Sequence, residues 1–300
     1  MADQLPDFEA GVAYWANTEA SVNGVLGGYG ESTPVPRLDA TASRLLILSL
    51  LPQLSTITPP HLPLLPAGDS PRPPRPFRAL DCGAGIGRVT STVLLPLFDM
   101  VDLVEPVPSF VSRAKDNALL GKEGWAALHP DEKGDAPKKG VRIWQAGLQH
   151  FDPICPTRPV GEGAKVKLFA SLGGNKAPWV DPAIELDVTG EEGYDLVMVQ
   201  WCIGHLSDDE LVAFLQRSQR ALRQKPDGTC EGFIVLKENV CKDTDGAGAA
   251  RLFDEDDSSI TRSDKAFRDV FARAGLTILR REVQQGFPAE LFPVVAYALQ

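Results

Sequence analysis

Three glycines at 83, 85 and 87, in the run RALDCGAGIGRVT (78–90), stand where a short apolar stretch gives way to a helical one. Glycine accepts a left-handed backbone and lets main-chain N–H groups approach a bound molecule closely. The spacing is GxGxG, not the GxGxxG of dinucleotide enzymes. Glu105, twenty-four residues past Asp81, ends the next apolar stretch. A carboxylate at the tip of the strand after a glycine turn is placed to accept both hydroxyls of a ribose. Turn and acid together imply a nucleotide-like ligand.

A second set of reactive types follows. Gln200, Trp201 and His205 lie in QWCIGHLSDDE (200–210), and Asn239 lies in KENVCKDTDG (237–246). Histidine titrates near neutral pH and suits proton movement. The acidic run LFDEDDSSITRSD (252–264) adds Asp254 and Asp257. Its Leu252, Phe253 and Ile260 imply that part of it is folded against something.

These groups need a frame. FRALDC (77–82), MVDLVEP (100–106), VRIWQAG (141–147), YDLVMVQW (194–201) and GFIVLKEN (232–239) read as strands, and the fourth is nearly all apolar, as a buried parallel strand must be. Helices are expected at 43–54, 86–98, 108–120, 207–223 and 263–274, with a capping box at Ser207 and Glu210. LTILRREV (276–283) and PVVAYAL (293–299) are too close for a crossover helix, so they pair antiparallel. The expected fold is α/β: a doubly wound, seven-stranded, mostly parallel sheet with an antiparallel C-terminal hairpin and an N-terminal helical extension. One domain is expected over 1–300, with the extension at 1–45 covering the substrate. Loop insertions are expected at the proline-rich 59–76 and at the polar 152–192. The loops after strands four and five then present Gln200, Trp201, His205 and Asn239 at strand carboxyl ends, where open α/β sheets bind ligands.

Composition narrows the partners. The 300 residues are 43% hydrophobic and carry a formal charge of −10, which disfavours a nucleic-acid backbone as partner. No window approaches twenty apolar residues, so no membrane span is expected, and the first residues lack a secretory pattern. Five cysteines are scattered without a CxxC pair, which suggests neither a metal site nor a disulfide framework and points to a reducing compartment, the cytoplasm and also the nucleus.

The glycine turn with Asp81 before it looks like motif I of class I S-adenosylmethionine-dependent methyltransferases. Longer runs sharpen this: YW (14–15), NGVLGGYG (23–30), LDCGAGIGRVT (80–90), LLPLF (94–98), GLQ (147–149), QWCIGHLSDDEL (200–211), VLKEN (235–239), DDSSITRSD (256–264) and FPVVAYAL (292–299). On these the chain closely resembles the eukaryotic protein α-N-terminal methyltransferases, which methylate the α-amine of Xaa-Pro-Lys N-termini. The likeness covers nearly the whole chain, interrupted at 59–76, 121–140 and 152–192.

The resemblance implies S-adenosylmethionine as cofactor and protein or peptide N-termini as partners, with no metal. It implies that Gly83 and Gly85 line the cofactor turn, Arg88 reaches the cofactor carboxylate, Glu105 holds the ribose, Leu148 and Gln149 flank the adenine, and Gln200 lies near the methionine end. Trp15, Leu26 and Gly27 would join the substrate site. Trp201 would pack on the second-position proline, Asn239 would meet the α-amine, and Asp254 and Ser259 would meet the third-position lysine. Asp257 and His205 are the candidates for taking the proton; Asp257 is favoured because a carboxylate also stabilises the docking ammonium. Glu31-Ser32 stands where relatives carry His-Ile, and Phe292 where a tyrosine is common. Methylation of another amine, a lysine side chain or a small molecule, and a binding scaffold without activity are the alternatives. A nicotinamide oxidoreductase is disfavoured by the glycine spacing.

Overall fold

Apolar runs that must be covered on both faces become the middle of a sheet. The computed structural model describes residues 4–55, 72, 75–121, 123–130, 139–174, 181–187, 192–244 and 248–300. Three helices come first: α1 (Phe8–Ala16), α2 (Val22–Val25) and α3 (Val35–Leu50). The sheet strands are β1 (Arg78–Cys82), β2 (Met100–Glu105), β3 (Gly140–Gln145), β4 (Lys167–Gly173), β5 (Leu196–Gln200) and β6 (Phe233–Asn239). A small hairpin, β7 (Arg251–Asp254) and β8 (Ser259–Arg262), precedes β9 (Ile278–Val283) and β10 (Val294–Leu299). The later helices are α4 (Leu95–Leu97), α5 (Pro108–Leu120), α6 (Asp208–Arg220) and α7 (Asp264–Ala274).

The main sheet runs β4-β3-β2-β1-β5-β6-β10-β9. Its centre, β3 to β6, is parallel, while β4, β10 and β9 are antiparallel to their neighbours. One face packs on α6 and α7 through Leu211, Phe214, Phe267 and Phe271. The other packs on α3 and α5 through Leu46, Ile47, Val111 and Ala114. Strand order reverses between β1 and β5, and that switch point is where the site must open.

Local chemistry sets the element ends. The capping box forms: Ser207 accepts from the Glu210 N–H, and Glu210 accepts from the Ser207 N–H. Pro108 opens α5, and Gly121 closes it in the left-handed region, φ 62°.

Among the described residues the sheet has eight strands, not the seven expected. The extra one, β4, lies inside 152–192, the segment expected to be an insertion without sheet structure. As an edge strand it is half-exposed and lacks the apolar run that marks a central strand. The helix expected over 43–54 begins eight residues earlier, with Pro36 accommodated in its first turn. The helix expected over 86–98 contains a π turn, Thr90–Leu94, whose Thr90 hydroxyl donates to Asp81 at 2.5 Å. Of the proline-rich stretch 59–76, only 72, 75 and 76 lie among the described residues. Among the described residues, no helix is long and apolar enough to cross a membrane.

Candidate active site

Two clefts open side by side at the carboxyl ends of the central strands. The first holds about 740 Å³ of space not filled by protein atoms, open solvent at its mouth included. Gly83, Gly85, Glu105, Leu148 and Gln149 line it, and Phe8, Gly11, Val12 and Trp15 roof it from α1. Those four α1 positions fall at i, i+3, i+4 and i+7, one helical stripe. The second cleft encloses about 1080 Å³ and is lined by Leu26, Gly27, Asn239, Asp257 and Ser259, with Tyr29, Glu238 and Phe287. Trp15, Val25, Trp201, Cys202 and His205 line both and form the wall between them.

The first cleft has the features a nucleoside needs. Gly83 and Gly85 both sit at positive φ, 61° and 57°. A Cβ on Gly83 would stand 2.1 Å from that of Cys202, so its lack of a side chain serves packing. A Cβ on Gly85 would meet only Val25, at 3.7 Å, so its bare backbone faces the cleft. Glu105 accepts the Gly85 and Val107 N–H groups, both at 2.8 Å, one on each oxygen. Each oxygen keeps a lone pair for a hydroxyl donor. Burial pushes the Glu105 carboxyl up to about 7 against the pull of those two N–H groups. Gln149 Oε1 is buried and accepts from no described residue, an acceptor the protein itself leaves open.

The second cleft gathers apolar rings and proton-handling groups. Trp201 and Phe287 pair at 6.3 Å between centroids. Trp201 holds φ 51°, and Ser258, next to Asp257, holds φ 55°; non-glycine residues in this region are strained and concentrate at functional sites. Asp257 Oδ2 lies 4.0 Å from His205 Nε2. Asp257 Oδ1 is shielded from solvent and accepts from no described residue. Burial lowers the His205 pKa, and the Asp257 carboxylate and the Ser258 backbone pull it back only in part. Glu238 accepts the Asn239 N–H at 2.9 Å, and burial pushes it up to about 7.

Not every expected residue lines a cleft. Arg88 and Gln200 line neither. Both are drawn to Asp39, a fully buried carboxylate of α3: Arg88 Nη1 donates at 2.7 Å, Gln200 Nε2 at 2.9 Å, and Lys237 Nζ at 2.5 Å. Burial raises Asp39, but the Arg88 and Lys237 charges outweigh it and hold it low. Asp254 is exposed at the end of β7, with Oδ1 accepting the Asp256 N–H, and lines neither cleft. The β7–β8 turn places Asp257 and Ser259 in the second cleft, and Asp254, opposite Ser259 in the hairpin, is exposed to solvent. Glu31 and Ser32 line a separate surface cleft, not the second one.

Several lining residues escaped the sequence reading. Phe8, Gly11 and Val12 were legible in principle from the period of α1. Cys202 adjoins Trp201 in the run already singled out. Glu238 adjoins Asn239. Asp39 and Phe287 carry no local signal, since one is a single acid on a helix and the other lies between β9 and β10.

Comparison with known proteins gives one answer. A family model described as AdoMet-dependent proline di-methyltransferase matches residues 3–157 and 183–300. Alpha N-terminal protein methyltransferase 1 of Arabidopsis thaliana is 32% identical, over 97% of this chain and 79% of its own. N-terminal Xaa-Pro-Lys N-methyltransferase 1-B of Xenopus laevis is 32% identical, over 96% of this chain and 92% of its own. Among solved structures, a SAM-dependent methyltransferase of Leishmania major is similar with a TM-score of 0.62 at 27% identity, covering 98% of this chain and 82% of that one.

Proposed function

Since this chain belongs to the AdoMet-dependent proline di-methyltransferase family, we propose that it methylates the α-amine of protein N-termini that begin Xaa-Pro-Lys. The observation that carries the reading is the shared wall. The nucleoside-type cleft and the cleft holding Asn239, Asp257 and Trp201 abut at Trp15, Trp201 and His205. A donor in one and an acceptor in the other meet without a carrier.

S-adenosylmethionine is the methyl donor, and Gly85, Glu105, Leu148 and Gln149 would hold it in the first cleft. When bound, it supplies a methyl group on a positively charged sulfur, which an amine lone pair can take while the bond's electrons stay on sulfur. The chain's own task is to deliver that lone pair. An α-amine has an ordinary pKa near about 7.7–8.0, so much of it arrives protonated at neutral pH. Asn239 orients the amine, and Asp257 or His205 takes its proton. The Trp201 face, backed by Phe287, suits a proline ring through flat apolar contact. The hairpin carboxylates favour a lysine ammonium beyond it, with Ser259 at the cleft and Asp254 at the rim. Tight positioning of the amine supplies much of the rate. The five free thiols fit a reducing compartment, the cytoplasm or nucleus.

The test is mass spectrometry of a Ser-Pro-Lys peptide incubated with the protein and S-adenosylmethionine. Methyl groups are expected on this peptide and not on its N-acetylated form. Methylation of the acetylated peptide, on its lysine side chain, would overturn the reading.

A further inference from the structure

Helix α1 does more than cover the clefts. The Asp7 N–H at its start donates to Ser258 Oγ at 2.8 Å, tying it to the loop that carries Asp257. Gly11 lets it lie against the imidazole: a Cβ there would stand 2.8 Å from His205 Nδ1. One turn on, the Trp15 indole N–H donates to His205 Nε2 at 2.9 Å, with the two rings perpendicular.

An indole N–H can only donate. The nitrogen facing it must therefore present its lone pair, and in a neutral imidazole the proton then sits on Nδ1. That lone pair is the one a general base would need. With Nε2 engaged, the carboxylate that faces it across the second cleft is Asp257, 4.0 Å away, whose Oδ1 has no donor among the described residues. We propose that Trp15 is a positioning residue for proton transfer: it occupies His205 Nε2, fixes the Nδ1–H tautomer, and so assigns the amine proton to Asp257. The inference rests on the methyltransferase reading above. The titratable groups around His205 are Asp257, Glu238 and Tyr29 from the second cleft, Glu105 from the first, and Cys202 from the shared wall. Asp7, the N-cap of α1, is turned to that helix, accepting the Ala10 N–H.

Two measurements test it. The first is nitrogen-15 NMR of the histidine rings in the full chain. His205 should show a protonated Nδ1 and a bare Nε2 in the native protein, and a shift toward the Nε2–H form in Trp15→Phe. An Nε2–H ring in the native protein would overturn the proposal. The second is single-turnover methyl transfer to the Ser-Pro-Lys peptide across pH 6–9. Trp15→Phe alone should lose roughly 2- to 10-fold, the size of one hydrogen bond. Asp257→Asn should lose roughly 10²–10⁴-fold in the native background. In Trp15→Phe, where Nε2 is freed, the same change should cost about tenfold less, within the coupling seen between neighbours, and the residual rate should rise with pH as an imidazole titrates. Strictly multiplicative losses would sink the proposal. A native protein that leaves the peptide unmethylated yet holds His205 as the Nδ1–H tautomer would refute the substrate reading and support the lock.

Discussion

The two ends of the sheet treat buried charge in opposite ways. Toward the amino ends, Asp102 of β2 is enclosed with Arg142, Trp144 and Tyr194, all donating to it at 2.6–2.9 Å. Burial pushes Asp102 up, and the Arg142 and Arg78 charges outweigh it and hold it below the usual range. Asp195, just before β5, is paired in the same manner with Arg75 and Arg223, both at 2.8 Å. At the carboxyl ends burial wins: Asp81 is pushed up to about 6, and Glu105 and Glu238 to about 7. Where the protein completes its own charge pairs, the residues serve the fold. At the carboxyl ends Glu105 and Glu238, which have no salt-bridge partner among the described residues, line the two clefts, while Asp81 lines neither and accepts from Thr90. Asp39 is the exception, a fully paired carboxylate behind the site, and it holds Arg88, Gln200 and Lys237 rather than a ligand.

The sharpest way to break this contrast is Gly85→Val. Its side chain would project into the first cleft, so binding of S-adenosylhomocysteine should vanish by calorimetry. The left-handed backbone adds about 1–2 kcal/mol of strain, which the fold should survive. Retained affinity would remove the turn from the site. Next is Asp102→Asn at the other end. Leaving the surrounding guanidiniums buried without their anion should cost about 3–5 kcal/mol of stability in denaturant titration. The affinity of the folded fraction for S-adenosylhomocysteine should not change, and a loss of affinity would erase the distinction between the ends.

A pH series gives a smaller effect. Glu105 must be ionised to accept two ribose hydroxyls, and its carboxyl sits at about 7 in the protein alone. Affinity should therefore rise from pH 6 to pH 8 by about tenfold, the penalty for ionising a group one unit below its pKa. In Glu105→Gln the dependence should flatten. The same shift has a stability consequence of fixed sign. Between the ordinary glutamate value of 4.5 and about 7, the folded chain holds protons that the unfolded chain does not. This stabilisation is full below that window and is lost as pH rises through about 7. The melting temperature of the protein alone should therefore fall across this range, and a melt that rises instead would contradict the assignment. Smallest is Asp254→Asn. An exposed carboxylate at the rim should alter peptide KM by the roughly 0.2–1 kcal/mol of a surface pair, and less in added salt. A hundredfold effect would mean that the hairpin closes over the peptide.

The sequence made the middle of this molecule legible and hid its edges, for a physical reason. Buried strands such as LVMVQ are apolar up to their last residue and announce themselves. β4, exposed on one side, reads as KLFASLG and does not. The capping box was visible because both its residues are local. The site divided along the same line. Glu105, His205 and Asn239 sit on or beside strand ends and helix starts that the pattern located, whereas Asp257 sits in the turn of the β7–β8 hairpin, which the pattern did not place. The engagement of Arg88 and Gln200 by Asp39 spans 49 and 161 positions of chain, and no short motif encodes it. Of the roof of the first cleft only Trp15 was expected, because the extension at 1–45 is expected to be helical as a whole and α1, nine residues long, is too short to announce its own stripe.

β10 sits between β6 and β9, and Val294 lies opposite Asn239. During synthesis, β6 leaves the ribosome about 55 residues ahead of the strand that covers its edge, a delay of roughly 3–11 s at ordinary elongation rates. For that interval the growing chain presents an uncapped strand edge whose first four residues, FIVL, are apolar, a surface that can recruit another strand. Holding factors would be needed most in that interval, and codons that slow translation between 240 and 293 should lower soluble yield without altering the protein that finishes.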